Sequence, residues 1–143
     1  MSTIKDVLKA KDHKIHFISP NATVYEALEK MSEQGIGALV VMDKKKVVGI
    51  ISERDYARKI ILQKKTSKKT LVKEIMSSDL FSVTTDTSLE DAMVLMTGKH
   101  VRHLPVFEKT KFVGIVSIGD VVKSIISHKD FLISQLSNYI TAG

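Results

Sequence analysis

Gly49-Ile50-Ile51-Ser52-Glu53-Arg54-Asp55 is answered later in the chain by Gly114-Ile115-Val116-Ser117-Ile118-Gly119-Asp120. The displacement, 114 − 49 = 65 residues, holds without a gap from Ile18/Val83 through Ile61/Ile126, and thirteen of those forty-four aligned pairs are identical. The chain is therefore a duplication, and a repeat constrains the fold before any local pattern does. The whole chain has 143 residues. Each copy is thus about 60 residues long, a size at which a lone core is marginal. The two copies are expected to pack together as one module.

Both copies read in the same order. A short extended piece, Phe17-Ile18-Ser19 or Phe81-Ser82-Val83, precedes a helix. Thr23 with Glu26, and Ser88 with Asp91, read as capping boxes that satisfy the free N–H groups of the first turn. Val24, Ala27, Leu28 and Met31 then recur at helical spacing, matched by Leu89, Ala92, Met93 and Met96. Two apolar strands follow. They are Ala38–Met42 and Val47–Ile51 in the first copy, His103–Phe107 and Phe112–Val116 in the second. Such continuous runs suggest strands covered on both faces. Pro105 has no N–H to give a ladder, which predicts an edge at that point. A second helix runs from Ser52 or Ser117 to the paired isoleucines Ile60-Ile61 or Ile125-Ile126.

Short lead-ins, Lys5-Asp6-Val7-Leu8 and Lys73-Glu74-Ile75-Met76, stand 68 residues apart, so the first copy carries three extra residues between Lys9 and Ile15. Gln63 to Thr70 is polar and reads as the connector. Leu132, Leu136 and Ile140, widened by Phe131, Ile133 and Tyr139, form one stripe of a final helix that either covers the core or meets a second subunit. The expected fold is α+β (mixed α/β), two β-α-β-β-α repeats plus a C-terminal helix. The expected divisions are 1–68 for the first repeat with its lead-in, 69–128 for the second, and 129–143 for the helical tail.

Composition narrows the function. Hydrophobic residues make up 43% and charged residues 27%, with a net charge of +6, ordinary for a soluble globular protein. Cysteine and tryptophan are absent, which excludes disulfides and thiolate metal sites and leaves few stacking platforms for single-stranded nucleic acid. No apolar run approaches the ~20 residues that span a bilayer, and Met1–Asp6 lacks a signal-peptide core, so the cytoplasm is the expected compartment. Lysines cluster at Lys44–Lys46 and from Lys59 to Lys73. Such runs suit nucleic acid, anionic lipid or a phosphorylated small molecule, and equally a solvated surface. His13-x-x-His16 and His100-x-x-His103 share a spacing, but each straddles two elements and offers fewer ligands than zinc usually takes. No Walker loop, nucleophile–base pair or paired-carboxylate signature stands out, so no enzyme is expected.

Ser52-x-x-Asp55 and Ser117-x-x-Asp120 carry the chemistry. Each sits where an apolar strand hands over to a helix. A helix N-terminus attracts phosphate through its unpaired N–H groups and partial positive charge. A hydroxyl there adds a donor, and a carboxylate one turn on can accept both hydrogen bonds of a ribose diol. The same spacing is also an ordinary helix cap. The caps of the first helices change in both residues between copies, whereas the second pair is Ser and Asp both times; one hydroxyl can serve both purposes.

The β-α-β-β-α unit with G-h-h-S-x-x-D at its second strand–helix junction resembles the cystathionine-beta-synthase (CBS) domain, two of which in tandem make a Bateman module. Ile36–Val41, Ser52–Lys59 and Val101–Val106 resemble stand-alone tandem proteins of bacteria and plant organelles, and the likeness spans about residues 3 to 128. It implies two repeats about a pseudo-twofold axis with inter-repeat clefts. It implies adenine nucleotides as ligands: AMP, ADP, ATP, sometimes NAD(H) or S-adenosylmethionine. Carried over, a first site uses His16, Phe17, Ile18, Gly37, Arg102, His103, Ser117 and Asp120. A second uses Ser52, Arg54, Asp55, Phe81, Ser82 and Val83. Arg102-His103 is replaced by Gly37-Ala38 in the first copy; Arg carries a permanent planar charge, so the Asp120 site is expected to be the tighter. The reading is a non-catalytic regulatory module, with a homodimer and an unidentified target protein as partners. The alternative is a basic nucleic-acid-binding or protein-interaction module with no small ligand.

Overall fold

The computed structural model describes residues 2–11 and 15–142. The elements follow in order: α1 (Ile4–Ala10), β1 (Phe17–Ile18), α2 (Val24–Gln34), β2 (Ala38–Asp43), β3 (Lys46–Ser52), α3 (Glu53–Tyr56) continued by a π-helical segment Ala57–Ile61, α4 (Val72–Ile75), β4 (Val83–Thr84), α5 (Leu89–Lys99), β5 (His103–Glu108), β6 (Lys111–Ser117) and α6 (Ile118–Ala142). The class is mixed α+β, with two three-stranded sheets ordered β1-β2-β3 and β4-β5-β6. In each sheet a short strand runs parallel to the middle one, and a hairpin supplies the third. The hairpins even share an irregularity, after Val41 and after Val106. The three-residue insertion expected between Lys9 and Ile15 includes residues outside those described.

The chain forms two compact units, and they do not follow sequence order. One holds residues 1–14 and 81–143, the other 15–80. The lead-ins have exchanged partners. Ile4 and Val7 of α1 lie in one core with Val83, Leu89, Met96, Leu104, Val106, Val116 and Val121. Val72 and Ile75 of α4 lie in the other with Ile18, Val24, Met31, Leu39, Val41, Ile51 and Ile60. Backbone bonds repeat the exchange. Ile4 N donates to Thr87 O at 2.9 Å, and Val72 N donates to Ala22 O at 2.8 Å. Each lead-in thus docks just ahead of the first helix of the other repeat, not of the repeat that it precedes in sequence.

Four local expectations change. The second repeat's short strand is Val83–Thr84, beginning two residues late, so Phe81 and Ser82 precede it. Pro105 lies in the middle strand rather than at an edge. It is accommodated because it faces Ile115 in the hairpin while parallel pairing begins only at the next residue, Val83 opposite Val106. Of the two caps expected on the first helices, Thr23/Glu26 closes in both directions. At Ser88 only the hydroxyl is engaged, taking the Asp91 N–H at 3.1 Å. Finally, the second helix of the second repeat and the tail are one 25-residue helix, because no Gly or Pro after Gly119 interrupts it before its end.

The glycine that opens each motif is a packing requirement. A Cβ on Gly49 would meet Met76 Sδ at 2.6 Å and the Ser77 carbonyl oxygen at 3.0 Å. That approach is fixed because Ile50 and Ser77 exchange both backbone hydrogen bonds. Gly49→Ala is expected to destabilise the fold by about 1–3 kcal/mol, the usual effect of overpacking. Gly114→Ala meets only a flexible methyl, Leu8 Cδ2 at 3.1 Å, but sets a side chain on a backbone at φ +159°, so it too should destabilise the fold, through strain and not overpacking. Urea denaturation of the two variants checks both losses.

Candidate functional site

At the Asp120 junction, β6 ends and α6 begins. Ser117 N donates to Asp120 Oδ2 at 2.8 Å, and Asp120 N donates to Ser117 Oγ at 3.0 Å. The Ser-x-x-Asp pair is thus a closed cap, the reciprocal arrangement that satisfies two donors at once. Ile118 N is also engaged, by the Arg102 carbonyl at 2.8 Å. Fewer first-turn N–H groups are therefore open to an anion than a bare helix N-terminus offers. His103 lies opposite Ser117 in the hairpin register, so Arg102, His103, Ser117 and Asp120 share one corner of a single unit.

A cation stands at this corner that the sequence reading did not assign. Lys11 Nζ donates to Asp120 Oδ2 at 2.7 Å and to the Ile115 carbonyl at 2.9 Å. It arrives from the far end of the chain, just past α1. Among the described residues, no hydrogen bond reaches the other carboxylate oxygen, Oδ1. Partial burial pushes the Asp120 carboxyl up, but the hydrogen bond and charge of Lys11, with donation from Ser117, outweigh it and hold the group below its ordinary value. A lowered pKa means the unfolded chain binds more protons at mildly acidic pH, so this contribution is present above about pH 4 and is lost as pH falls through the folded value. The pair is partly solvated, which limits the effect to about 1 kcal/mol or less. Wild type should lose more stability than Lys11→Met between pH 5 and pH 3, read as the shift in denaturation midpoint.

The Asp55 junction is built alike and wired differently. Ser52 N and Ser52 Oγ donate to Asp55 Oδ2 at 2.9 and 3.1 Å, and Asp55 N donates back to Ser52 Oγ at 3.2 Å. Glu53 N is taken by the Gly37 carbonyl at 3.0 Å. Here the cation is Lys59, four residues along the same helix, with Nζ 3.3 Å from Oδ1 and donating to the Ile75 carbonyl at 2.8 Å. Among the described residues, both carboxylate oxygens are therefore engaged at Asp55, and one of two at Asp120. The spacing Asp55-x-x-x-Lys59 was a readable signal for that pair. Lys11 left none, because a separation of 109 residues is closed only by the fold.

The remaining sequence-assigned residues fall as follows. Ile18 and Val83 are core residues, 8% and 6% exposed, so any contact they make with a ligand comes from the backbone. Phe17 is exposed, with Lys30 Nζ 5.1 Å from its ring centroid, and half-buried Phe81 has Lys99 Nζ at 5.2 Å. Such cation–ring contacts are worth about 0.5–1 kcal/mol at exposed sites. His16 is half-buried; Gly37, Arg54, Ser82 and Arg102 are exposed. The Gly37 carbonyl accepts from Glu53 N at the Asp55 junction. Among the described residues no group of three or more His, Asp or Glu side chains could hold a metal ion, and no helix is long and apolar enough to cross a membrane. His13 lies outside the described residues.

Comparison with known proteins agrees with this architecture. A family model described as the CBS domain matches residues 4–62 and 72–127. The chain is 40% identical over 151 aligned residues to the CBS domain-containing protein CBSX3, mitochondrial, of Arabidopsis thaliana, covering 99% of this chain and 73% of the relative. Among solved structures, a putative signal-transduction protein with CBS domains from Burkholderia ambifaria superposes with a TM-score of 0.85 at 45% identity, covering 88% of this chain and 95% of that one. The CBS domain pair of protein MJ0100, in complex with 5'-methylthioadenosine and S-adenosyl-L-methionine, shares the fold at a TM-score of 0.78 and 22% identity, covering 90% of this chain and 98% of that one.

Proposed function

The chain belongs to the CBS-domain family as a tandem pair, and from that premise we propose that it is a non-catalytic regulatory module that reports the level of an adenosine-containing ligand. One observation carries the reading. Asp120 is held in place by Ser117 and Lys11 yet keeps a carboxylate oxygen with no partner among the described residues. A fixed acceptor of this kind suits a sugar hydroxyl, because hydrogen bonds to a charged group contribute about 1.5–3 kcal/mol. Arg102 and His103 stand at the same corner, with chemistry fit for a phosphate, and Ser117 adds a hydroxyl. Ser52, Arg54 and Asp55 form the related second site. It is expected to bind more weakly, because both Asp55 oxygens already have partners.

AMP, ADP, ATP and NAD(H) fit this chemistry. S-adenosylmethionine belongs in the same set, since a protein of the same fold is in complex with it. Binding would act by shifting a population of arrangements, with output limited by the ligand's preference among them. A thermal-shift panel over AMP, ADP, ATP, NAD, NADH and S-adenosylmethionine tests the proposal. A ligand present at 100 times its dissociation constant stabilises the native state by about 2.7 kcal/mol. One or more members of the panel should raise the melting temperature saturably. A flat response to all six at millimolar concentration would remove the reading.

A further inference from the structure

Three differences between the copies shift the Asp120 corner in one electrical direction. At the 68-residue offset of the lead-ins, Lys11 corresponds to Asp79. At the 65-residue offset of the repeats, Arg102 corresponds to Gly37 and Ile118 to Glu53. The backbone around these positions is the same in both copies, since Ile118 N donates to the Arg102 carbonyl as Glu53 N donates to the Gly37 carbonyl. Where one copy has Arg102, the other holds a carboxylate close by: a Cβ on Gly37 would lie 3.8 Å from Glu53 Oε2. At the Asp55 corner the cations Arg54 and Lys59 are thus matched by Asp55 and Glu53. At the Asp120 corner Lys11 and Arg102 stand with a single carboxylate among the residues assigned to it. Arg102 forms no ion pair among the described residues.

We propose, resting on the adenosine reading above, that Lys11 is a specificity-determining residue of this corner. It selects adenosine ligands that carry negative charge at the 5' position and disfavours the sulfonium of S-adenosylmethionine. The ammonium is a fixed charge, anchored on Asp120 Oδ2 at 2.7 Å and again on the Ile115 carbonyl at 2.9 Å. It occupies one carboxylate oxygen and leaves Oδ1 to the sugar. A hydroxyl bonded to Oδ1 sets the 5' substituent about 8 Å from the ammonium, by ordinary bond and hydrogen-bond lengths. Over that distance, at an effective dielectric of about 20 to 80, one unit charge changes affinity roughly twofold to thirtyfold. A 5'-phosphate carries about 1.5 to 2 negative charges at pH 7 and gains from Lys11. A sulfonium carries one positive charge and loses.

Titration calorimetry of the full chain with three ligands built on one nucleoside separates charge from positioning. AMP is anionic at the 5' position, 5'-methylthioadenosine is uncharged there, and S-adenosylmethionine is cationic at sulfur. Wild type should bind them in that order. Lys11→Met should weaken AMP and tighten S-adenosylmethionine, lowering the ratio of their affinities about tenfold or more. Lys11→Arg keeps the charge and should retain most of the ratio. If Lys11 served only to hold Asp120 in place, Lys11→Met would move all three ligands by the same factor, and that result would overturn the selection. A wild type that binds S-adenosylmethionine as tightly as AMP would overturn it too, while leaving the adenosine reading intact. Binding of none of the three at millimolar concentration would remove both.

Discussion

Asp120→Ala should lower adenine-nucleotide affinity by roughly 10²-fold or more, the loss of one to two hydrogen bonds to a charged acceptor at about 1.5–3 kcal/mol each. Asp55→Ala should change it far less, because both of its oxygens are already partnered by Ser52 and Lys59. Removing the Asp120 carboxylate also opens half of the reciprocal cap, the bond from Ser117 N, which costs up to about 1 kcal/mol of stability. Asp120→Asn separates the two effects. The amide oxygen can still accept from Ser117 N, so the cap survives while the charge is gone. Titration calorimetry should show Asp120→Asn folded and weak. Unchanged affinity in both variants would rule out this carboxylate as the sugar ligand. Binding to nucleic acid through the lysine-rich runs predicts another outcome, an affinity that falls steeply with salt and survives both substitutions.

Ile4→Ala should destabilise the unit formed by residues 81–142 by about 2–4 kcal/mol, the range for emptying a well-packed aliphatic site. Ile4 is fully buried against Leu89, Met96, Leu104 and Val116. Val72→Ala should act on the other unit, with a smaller effect because fewer methyl groups are removed. Hydrogen exchange read by segment distinguishes the two. Protection in Leu104–Val106 should fall in Ile4→Ala, and protection in Leu39–Val41 should fall in Val72→Ala. Loss of protection in Leu39–Val41 from Ile4→Ala, with Leu104–Val106 unaffected, would contradict the exchange of lead-ins.

Most element boundaries were legible because they rest on short-range physics. The first helix of each repeat follows from apolar spacing and a capping hydroxyl, and α2 and α5 begin where Thr23 and Ser88 predict. Pro105 was misplaced because its missing donor forbids one ladder bond rather than a position in the sheet. The junction pairs were found correctly as Ser and Asp at a strand–helix corner. Their caps were anticipated as an alternative, and the structure contains them in full. The single helix from 118 to 142 was divided in two because a repeat argument ends where the repeat ends, while backbone hydrogen bonding continues until something interrupts it.

The duplication, the two β-α-β-β-α units and the placement of both aspartates were determined by sequence alone, since each depends on residues within a few turns of one another. Tertiary structure decided two further things. The lead-ins Ile4–Val7 and Val72–Ile75 present the same apolar spacing, so either could fill either core, and only the folded path of the chain assigns them. The same path brings Lys11 to Asp120 and leaves Asp55 to its neighbour Lys59. Two carboxylates with identical local sequence signatures thereby acquire different electrostatic surroundings.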